Sequence, residues 1–390
     1  MRRTISLRPA FSAGISTTAL GGRPYRFKPG VWMPVENDRD ALYLMSTQPW
    51  GGMKLEAERE LGPLWVTSPV PRSLRLPRYR GDTSPAVQVA PGGLTPITRV
   101  QASSISDHAL LNSVTCARFL RAKPQAKIAI VRGGNLGDAL FVGAAVSALR
   151  RVFADSVIDY VTAEVFAELV GGISLWEGLE RAPYDAVFDY ENLLEGSPDA
   201  SVYDRVELSA RRAGLVDAWP MSVSVSADDL EYGRQATGKV CLALRATSAY
   251  REMSAEWEAG LIAALDGLDV FTLSARDGRS SVWHFNGSLG KMAGLIAHSA
   301  VVVAVDSGPL HVAQALGRPL IGLFGPVRAE LRVRTSETAK VFCGNAEAGC
   351  TPCAATTARC ALPAPCLDRI DVQAVARSVR ELFHGHSPCV

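Results

Sequence analysis

Short β-branched runs alternate with amphipathic stretches along residues 126–385, the pattern of parallel strands covered on both faces by helices. Lys127-Ile-Ala-Ile-Val131 is one such run. It leads through Arg132-Gly-Gly-Asn-Leu-Gly-Asp138 into a helix whose apolar stripe carries Ala144, Ala145, Ala148, Leu149 and Val152. Val157 to Val161 reads as a second strand, Ala186 to Asp189 as a later one, and Tyr203 to Gly214 as an amphipathic helix. A second series opens with a strand at Lys239 to Leu244. A helix at Ala255 to Leu265, a strand at Val270 to Leu273 and a helix at Leu289 to His298 follow. Val301 to Val305 is then a fully apolar strand, and Asp306-Ser307-Gly308 is expected to cap the next helix. Another buried strand ends that unit at Phe324-Gly-Pro326. Short connections between alternating elements imply right-handed crossovers and two α/β lobes with a cleft between them.

In an open α/β sheet, ligands sit beyond the carboxyl ends of the strands. Two turns of this chain occupy that position. The Asp306 turn starts a helix, whose N–H groups and positive dipole end suit a diphosphate, and His311 lies one turn in, facing the same turn. The upstream turn holds Gly133, Gly134 and Gly137, which let backbone approach a ligand closely, with Asp138 where the helix begins. Its glycine spacing is not the dinucleotide-binding fingerprint.

These residues resemble the ADP-heptose:lipopolysaccharide heptosyltransferases, the family-9 glycosyltransferases of two-Rossmann (GT-B) architecture. The likeness covers about residues 126–385. It rests on the strand and Leu-Gly-Asp turn from Lys127 to Asp138, on Leu149-Arg-Arg151, on Asp306 to Pro319 with Phe324-Gly-Pro326, and on Cys350-Thr-Pro-Cys353 with later cysteines and a closing helix. The chain has Ser307 where the family has Thr, and the hydroxyl is kept.

The resemblance implies an inverting enzyme that takes a sugar from a nucleotide-diphosphate donor, ADP-heptose by family, with no metal needed at the diphosphate. Asp138 would be the general base, since a carboxylate at a helix N-terminus is favoured in its ionised form; capping the helix is its alternative role. Arg132, Gly133, Gly134, Asn135 and Gly137 would form the acceptor-side loop. Thr247, Ser248, Arg251, Ser307, Gly308 and His311 would hold the donor, and Asp306 would orient the turn or a sugar hydroxyl. Arg251 stands about one position from the family's lysine and clamps phosphate with a different geometry. After Leu273 the family has Gly and then Glu near the ribose; this chain reads Ser274-Ala-Arg-Asp-Gly278, which leaves the donor open.

The implied organisation is an extension at 1–125, an acceptor lobe at 126–236, and a nucleotide-sugar lobe with a Cys-rich tail at 237–390. Within the extension, 25–65 reads as a small α+β module with a helix near Asp38 to Met45, while 70–94 reads as linker. The extension as a whole is expected to be α+β or partly disordered. Asp38-Arg-Asp40 has the Asp-x-Asp form of metal-dependent glycosyltransferases, but it lies outside the α/β core, where chance explains it.

Net charge is +2, yet residues 1–125 hold seventeen Lys and Arg against eight acids, +9, leaving −7 for the rest. A basic appendage on an acidic body suggests an anionic partner: a phosphorylated glycan, nucleic acid or a membrane surface. A simply solvated extension is the alternative. No apolar run approaches a membrane span, and no apolar segment follows Met1-Arg-Arg3, so the expected location is cytoplasmic, at or away from the inner membrane face. Cys350, Cys353, Cys360 and Cys366 bring four thiolates into a short span, suited to structural zinc or iron, with free thiols as the alternative. Some family members that modify autotransporter proteins carry iron in a similar cluster.

The acceptor class the resemblance implies is lipopolysaccharide core or another cell-envelope glycan. Two alternatives stay open: the same chemistry on a protein or nucleic acid acceptor, and a nucleotide-sugar-binding protein without turnover.

Overall fold

The computed structural model describes residues 115–174, 177–178, 181, 184–190, 202–217, 220–247, 249–273, 282–344 and 366–385. Upstream of these it describes the backbone of strands β1 (Ile5–Pro9), β2 (Ile15–Thr18), β3 (Pro24–Phe27), β4 (Met33–Val35), β5 (Leu55–Ala57), β6 (Leu64–Val66), β7 (Arg72–Leu74), β8 (Val87–Val89) and β9 (Thr95–Ile97). These pair antiparallel, β4-β1-β5, β2-β3, β6-β9 and β7-β8. β7 and β8 fall inside the stretch read as linker. The helix expected near Asp38 to Met45 lies outside the described residues.

The first lobe is a parallel sheet in the order β12-β11-β10-β13, built from β10 (Lys127–Arg132), β11 (Val157–Thr162), β12 (Ile173–Ser174) and β13 (Ala186–Asp189). Helix α1 (Cys116–Ala122) starts upstream of the expected lobe boundary and buries Cys116, Phe119 and Leu120 in this lobe's core. Helix α2 (Leu136–Val152) buries most of its length, and the buried Tyr160 hydroxyl donates to the Ala139 carbonyl at 2.8 Å. A short helix, α3 (Glu164–Ala167), follows β11. Helix α4 (Arg205–Ala213) is capped by Asp204, which accepts from Val206 and Glu207, and ends at Gly214 with φ +80°.

The second lobe is a six-stranded parallel sheet of β14 (Val240–Ala243), β15 (Val270–Leu273), β16 (Trp283–Phe285), β17 (Val301–Val305), β18 (Leu320–Phe324) and β19 (Ala339–Cys343). Its order is β16-β15-β14-β17-β18-β19. The chain therefore runs outward one way from β14 and returns to run outward the other way from β17, so the crevice between their carboxyl ends is the switch point. Here α/β sheets receive nucleotides.

Four further helices cover this sheet: α6 (Ala255–Ala264), α7 (Leu289–His298), α8 (Gly308–Ala315) and α9 (Val372–Gly385). Val375, Ala376, Val379 and Leu382 of α9 pack with Met253, Trp257, Val303 and Val305 in one core cluster. Helix α5 (Ala227–Gly233), upstream of the expected lobe boundary at 237, packs against α7. The approach is so close that a Cβ on Gly294 would lie 1.9 Å from the Asp229 carbonyl oxygen.

A second apolar cluster is continuous through both lobes, with Leu136, Leu140 and Phe141 on one side and Leu310, Val312 and Ala313 on the other. At the surface Arg334 Nε and Nη2 donate to Asp204 Oδ2 at 3.1 and 2.9 Å, tying the second lobe to the start of α4. No helix among the described residues is long and apolar enough to cross a membrane. The fold is thus α/β with two parallel-sheet lobes, as the alternating pattern implies.

Candidate functional site

β17 is buried along its whole length and ends at Asp306, which is itself buried. Ser307 is the N-cap residue of α8, and Pro309 stands in the first turn, where its missing N–H costs no hydrogen bond. The expected side-chain cap does not form. The Ser307 hydroxyl turns back and donates to the Val305 carbonyl at 3.1 Å, so no side chain caps the helix start. A polar helix end left open in this way, beyond a strand end, suits an anion.

Asp306 gathers basic side chains from three parts of the second lobe. Arg251, after β14, donates from Nη1 to both the Asp306 carbonyl and Oδ2 at 3.1 Å, and from Nη2 to Thr247 Oγ1 at 3.4 Å. His311 Nε2 stands 3.7 Å from Oδ1, and Arg332 Nε stands 4.0 Å from the same oxygen. Burial by itself raises the pKa of this carboxyl; the contacts with His311, Arg332 and Arg251 outweigh it and hold the group well below the usual carboxylate range. Asp306 is therefore anionic throughout the physiological range.

Thr247, Arg251, Asp306, Ser307, Gly308 and His311 thus converge at the switch point. Ser248 lies outside the described residues. Arg332 has no counterpart among the residues the sequence singles out. It sits in the loop leaving β18, with no helical or strand periodicity to mark it.

On the first lobe, β10 ends at Arg132, whose side chain is buried. The guanidinium folds back beneath its own turn. Nη1 donates to the Tyr190 carbonyl beyond β13 at 3.0 Å, and Nη2 pairs with Asp138 Oδ2 at 3.0 Å. Gly134, at φ +44°, passes over it, and a Cβ there would lie 3.0 Å from Arg132 Nε. Asn135 is the N-cap of α2, and its backbone N–H donates to Asp138 Oδ2 at 3.3 Å. Asp138 is thus both the capping carboxylate of α2 and the partner of a buried arginine, with its side chain 17% exposed.

Two glycines of this turn are met closely by side chains. Gly134 makes room for Arg132. At Gly137 a Cβ would lie 2.7 Å from Cδ2 of His311, which arrives from the opposite lobe. The His311 ring packs edge-on against Phe141 of α2, with centroids 4.6 Å apart. Gly308 in turn meets Leu136, its added Cβ reaching 3.1 Å from the leucine side chain. The start of α8 therefore abuts the start of α2, and two positive helix ends share one small region with Asp138 and Asp306.

Of the expected thiolate cluster, Cys350, Cys353 and Cys360 fall outside the described residues. Cys366 is placed at the ends of β18 and β19, so close to them that a Cβ on Gly325 would lie 2.6 Å from its sulfur. Cys343, at the end of β19, is exposed. Among the described residues no three His, Cys, Asp or Glu side chains form a metal site. Cys116 and Cys241 are buried thiols, the first pushed up to about 12 by burial, and they belong to the core.

Residues 287–362, which include β17, α8 and β18, match the sequence profile of glycosyltransferase family 9 (heptosyltransferase). Over these residues the family-9 resemblance is borne out. The family-9 match over these residues supports a glycosyltransferase. A family-9 glycosyltransferase from Veillonella parvula is similar in structure with a TM-score of 0.54 at 12% identity, over 67% of this chain and 98% of that one. TibC of enterotoxigenic E. coli, an iron-containing dodecameric glycosyltransferase, gives 0.53 at 14% identity, over 78% of this chain and 83% of that one. At these identities the two structures bear on the fold alone. No curated protein matches the chain significantly in sequence.

Proposed function

We propose that this family-9 fold transfers a sugar, heptose by family, from a nucleotide-diphosphate donor to lipopolysaccharide core or another cell-envelope glycan. One observation carries the reading: the uncapped start of α8, with Arg251 and His311 beside it, abuts the turn that holds Asp138. A diphosphate bound at α8 leaves its sugar facing that turn. Inversion then needs a base on the far side of the anomeric carbon, and Asp138 is the carboxylate available there. Its Oδ2 is taken by Arg132 and the Asn135 N–H, which leaves Oδ1 to receive the proton of the acceptor hydroxyl.

Positive helix ends and guanidiniums stabilise the diphosphate as charge builds on it in the transition state. This reading assigns Arg251, Ser307 and Gly308 to the phosphates, His311 to the lobe contact as well as to the donor, and Asp306 to holding the cations. No metal enters the transfer step.

The donor assignment is tested by thermal shift with ADP-, GDP- and UDP-sugars on wild type, Arg251→Ala and His311→Ala. A ligand at one hundred times its dissociation constant stabilises the native state by about 2.7 kcal/mol. The expected result is a rise in melting temperature with an ADP-sugar that both variants lose. No rise with any nucleotide sugar defeats the donor reading.

Cys350, Cys353, Cys360 and Cys366 are proposed to hold a structural iron or zinc, in keeping with the iron described for TibC. Elemental analysis of protein purified without chelator should find close to one metal per chain, and Cys350→Ser/Cys353→Ser should lose it. Metal-free wild type of unchanged stability would remove the proposal.

A further inference from the structure

Among the described residues, two guanidiniums meet at the single carboxylate of Asp306. Arg251 and Arg332 flank the two oxygens of this single carboxylate, while Arg132 and Asp138 form their own pair across the lobe contact. Arg251 is committed, with two bonds to Asp306 and one to Thr247. Arg332 is held only loosely to Asp306, at 4.0 Å, with its side chain 19% exposed. Its Nε is buried without a hydrogen-bond partner among the described residues. His311, 3% exposed, likewise has a buried Nδ1 with no partner there.

Two guanidiniums on one carboxylate, a buried Arg332 Nε–H without an acceptor among the described residues and an uncapped helix start together suit an anion. Position narrows the choice further. Arg251 comes from beyond β14 and Arg332 from beyond β18, on opposite sides of the strand that carries Asp306. Two guanidiniums so arranged, one fixed and one loosely held, suit two linked phosphoryl groups better than one.

We propose that Arg332 is a specificity-determining residue that takes the terminal phosphoryl group of a nucleoside diphosphate. It thereby separates diphosphates from monophosphates. Asp306 keeps the second guanidinium close to the start of α8 until a phosphate displaces it from the carboxylate. The inference rests on the donor reading above and adds to it the residue that recognises the second phosphate. It also gives Arg332 a part in the reaction, since the same contact would hold the departing diphosphate.

The experiment is calorimetric titration of ADP, GDP, UDP and the three monophosphates into wild type, Arg332→Ala, Arg332→Gln and Arg332→Lys. Wild type is expected to prefer the diphosphate of one nucleoside. Arg332→Ala and Arg332→Gln should lose about 10–100-fold in affinity for that diphosphate while binding the monophosphate as wild type does. Lysine should restore part of the loss as a point charge without the fork. Variants that bind the diphosphate like wild type overturn the proposal. So does an equal loss for diphosphate and monophosphate, which would confine Arg332 to supporting Asp306. Wild type that binds diphosphates and monophosphates equally would overturn the Arg332 role and spare the donor site. Wild type that binds no nucleotide would overturn both.

Discussion

Gly137→Ala should slow sugar transfer by about 100-fold without lowering the stability of the first lobe. The added methyl would sit 2.7 Å from Cδ2 of His311. The ring is flanked by Phe141 on one side and lies near Asp306 on the other, so relief has to come from the lobes moving apart. Displacement of about 1 Å at a reacting centre costs rate on this scale. Alanine is at the same time the better helix former, by up to about 1 kcal/mol, so the start of α2 should gain rather than suffer. The check is kcat/KM, with the donor found by thermal shift, beside the melting temperature. An unchanged rate would mean that the contact between α2 and α8 has no part in turnover.

Gly294→Ala should instead damage the fold, by at least about 3 kcal/mol. Its Cβ would lie 1.9 Å from the Asp229 carbonyl oxygen, and the neighbouring Gly233 is equally close to the Gly294 carbonyl, at 2.1 Å from its own added Cβ. Both obstacles are helix backbone, which has no rotamer with which to yield. α5 and α7 would have to separate, and Met292, Leu295 and Ile296 would lose packing with them. Urea unfolding of the purified variant gives the number; a loss under about 1 kcal/mol would show that the two helices slide freely.

The two predictions mark where the sequence is readable and where it stops. Val301 to Val305, Leu289 to His298 and Val270 to Leu273 appear in the structure with the bounds their apolar pattern implies, because each has a buried apolar stretch with a clear stop on either side. β16 and β19 carry no comparable signal. They are edge strands, partly exposed, and their alternation is too short to stand out. α5 begins with Ala-Asp-Asp and rests on glycines, so little apolar stripe announces it.

At the candidate site the turns were legible and their contents were not. A glycine says that space is needed and is silent about what fills it. At Gly134 the occupant is Arg132, two residues away; at Gly137 it is His311, from another lobe. The role of Arg332 depends wholly on a contact with Asp306 that no local pattern encodes. Sequence periodicity reports which face of an element is buried, and pairings of this kind are decided only when the lobes meet.

The character of that meeting has a consequence for how the molecule should respond to its surroundings. The inner seam is apolar: Leu136 on Gly308, and Phe141 on the edge of His311. The outer tie, Arg334 to Asp204, is an ion pair whose arginine is 54% exposed. Added salt screens the outer tie and leaves the seam almost untouched. Cooling does the reverse, because apolar association loses strength as temperature falls. Ionic strength and temperature therefore act on different parts of the same lobe contact, and the cold, rather than salt, is the condition that favours its parting.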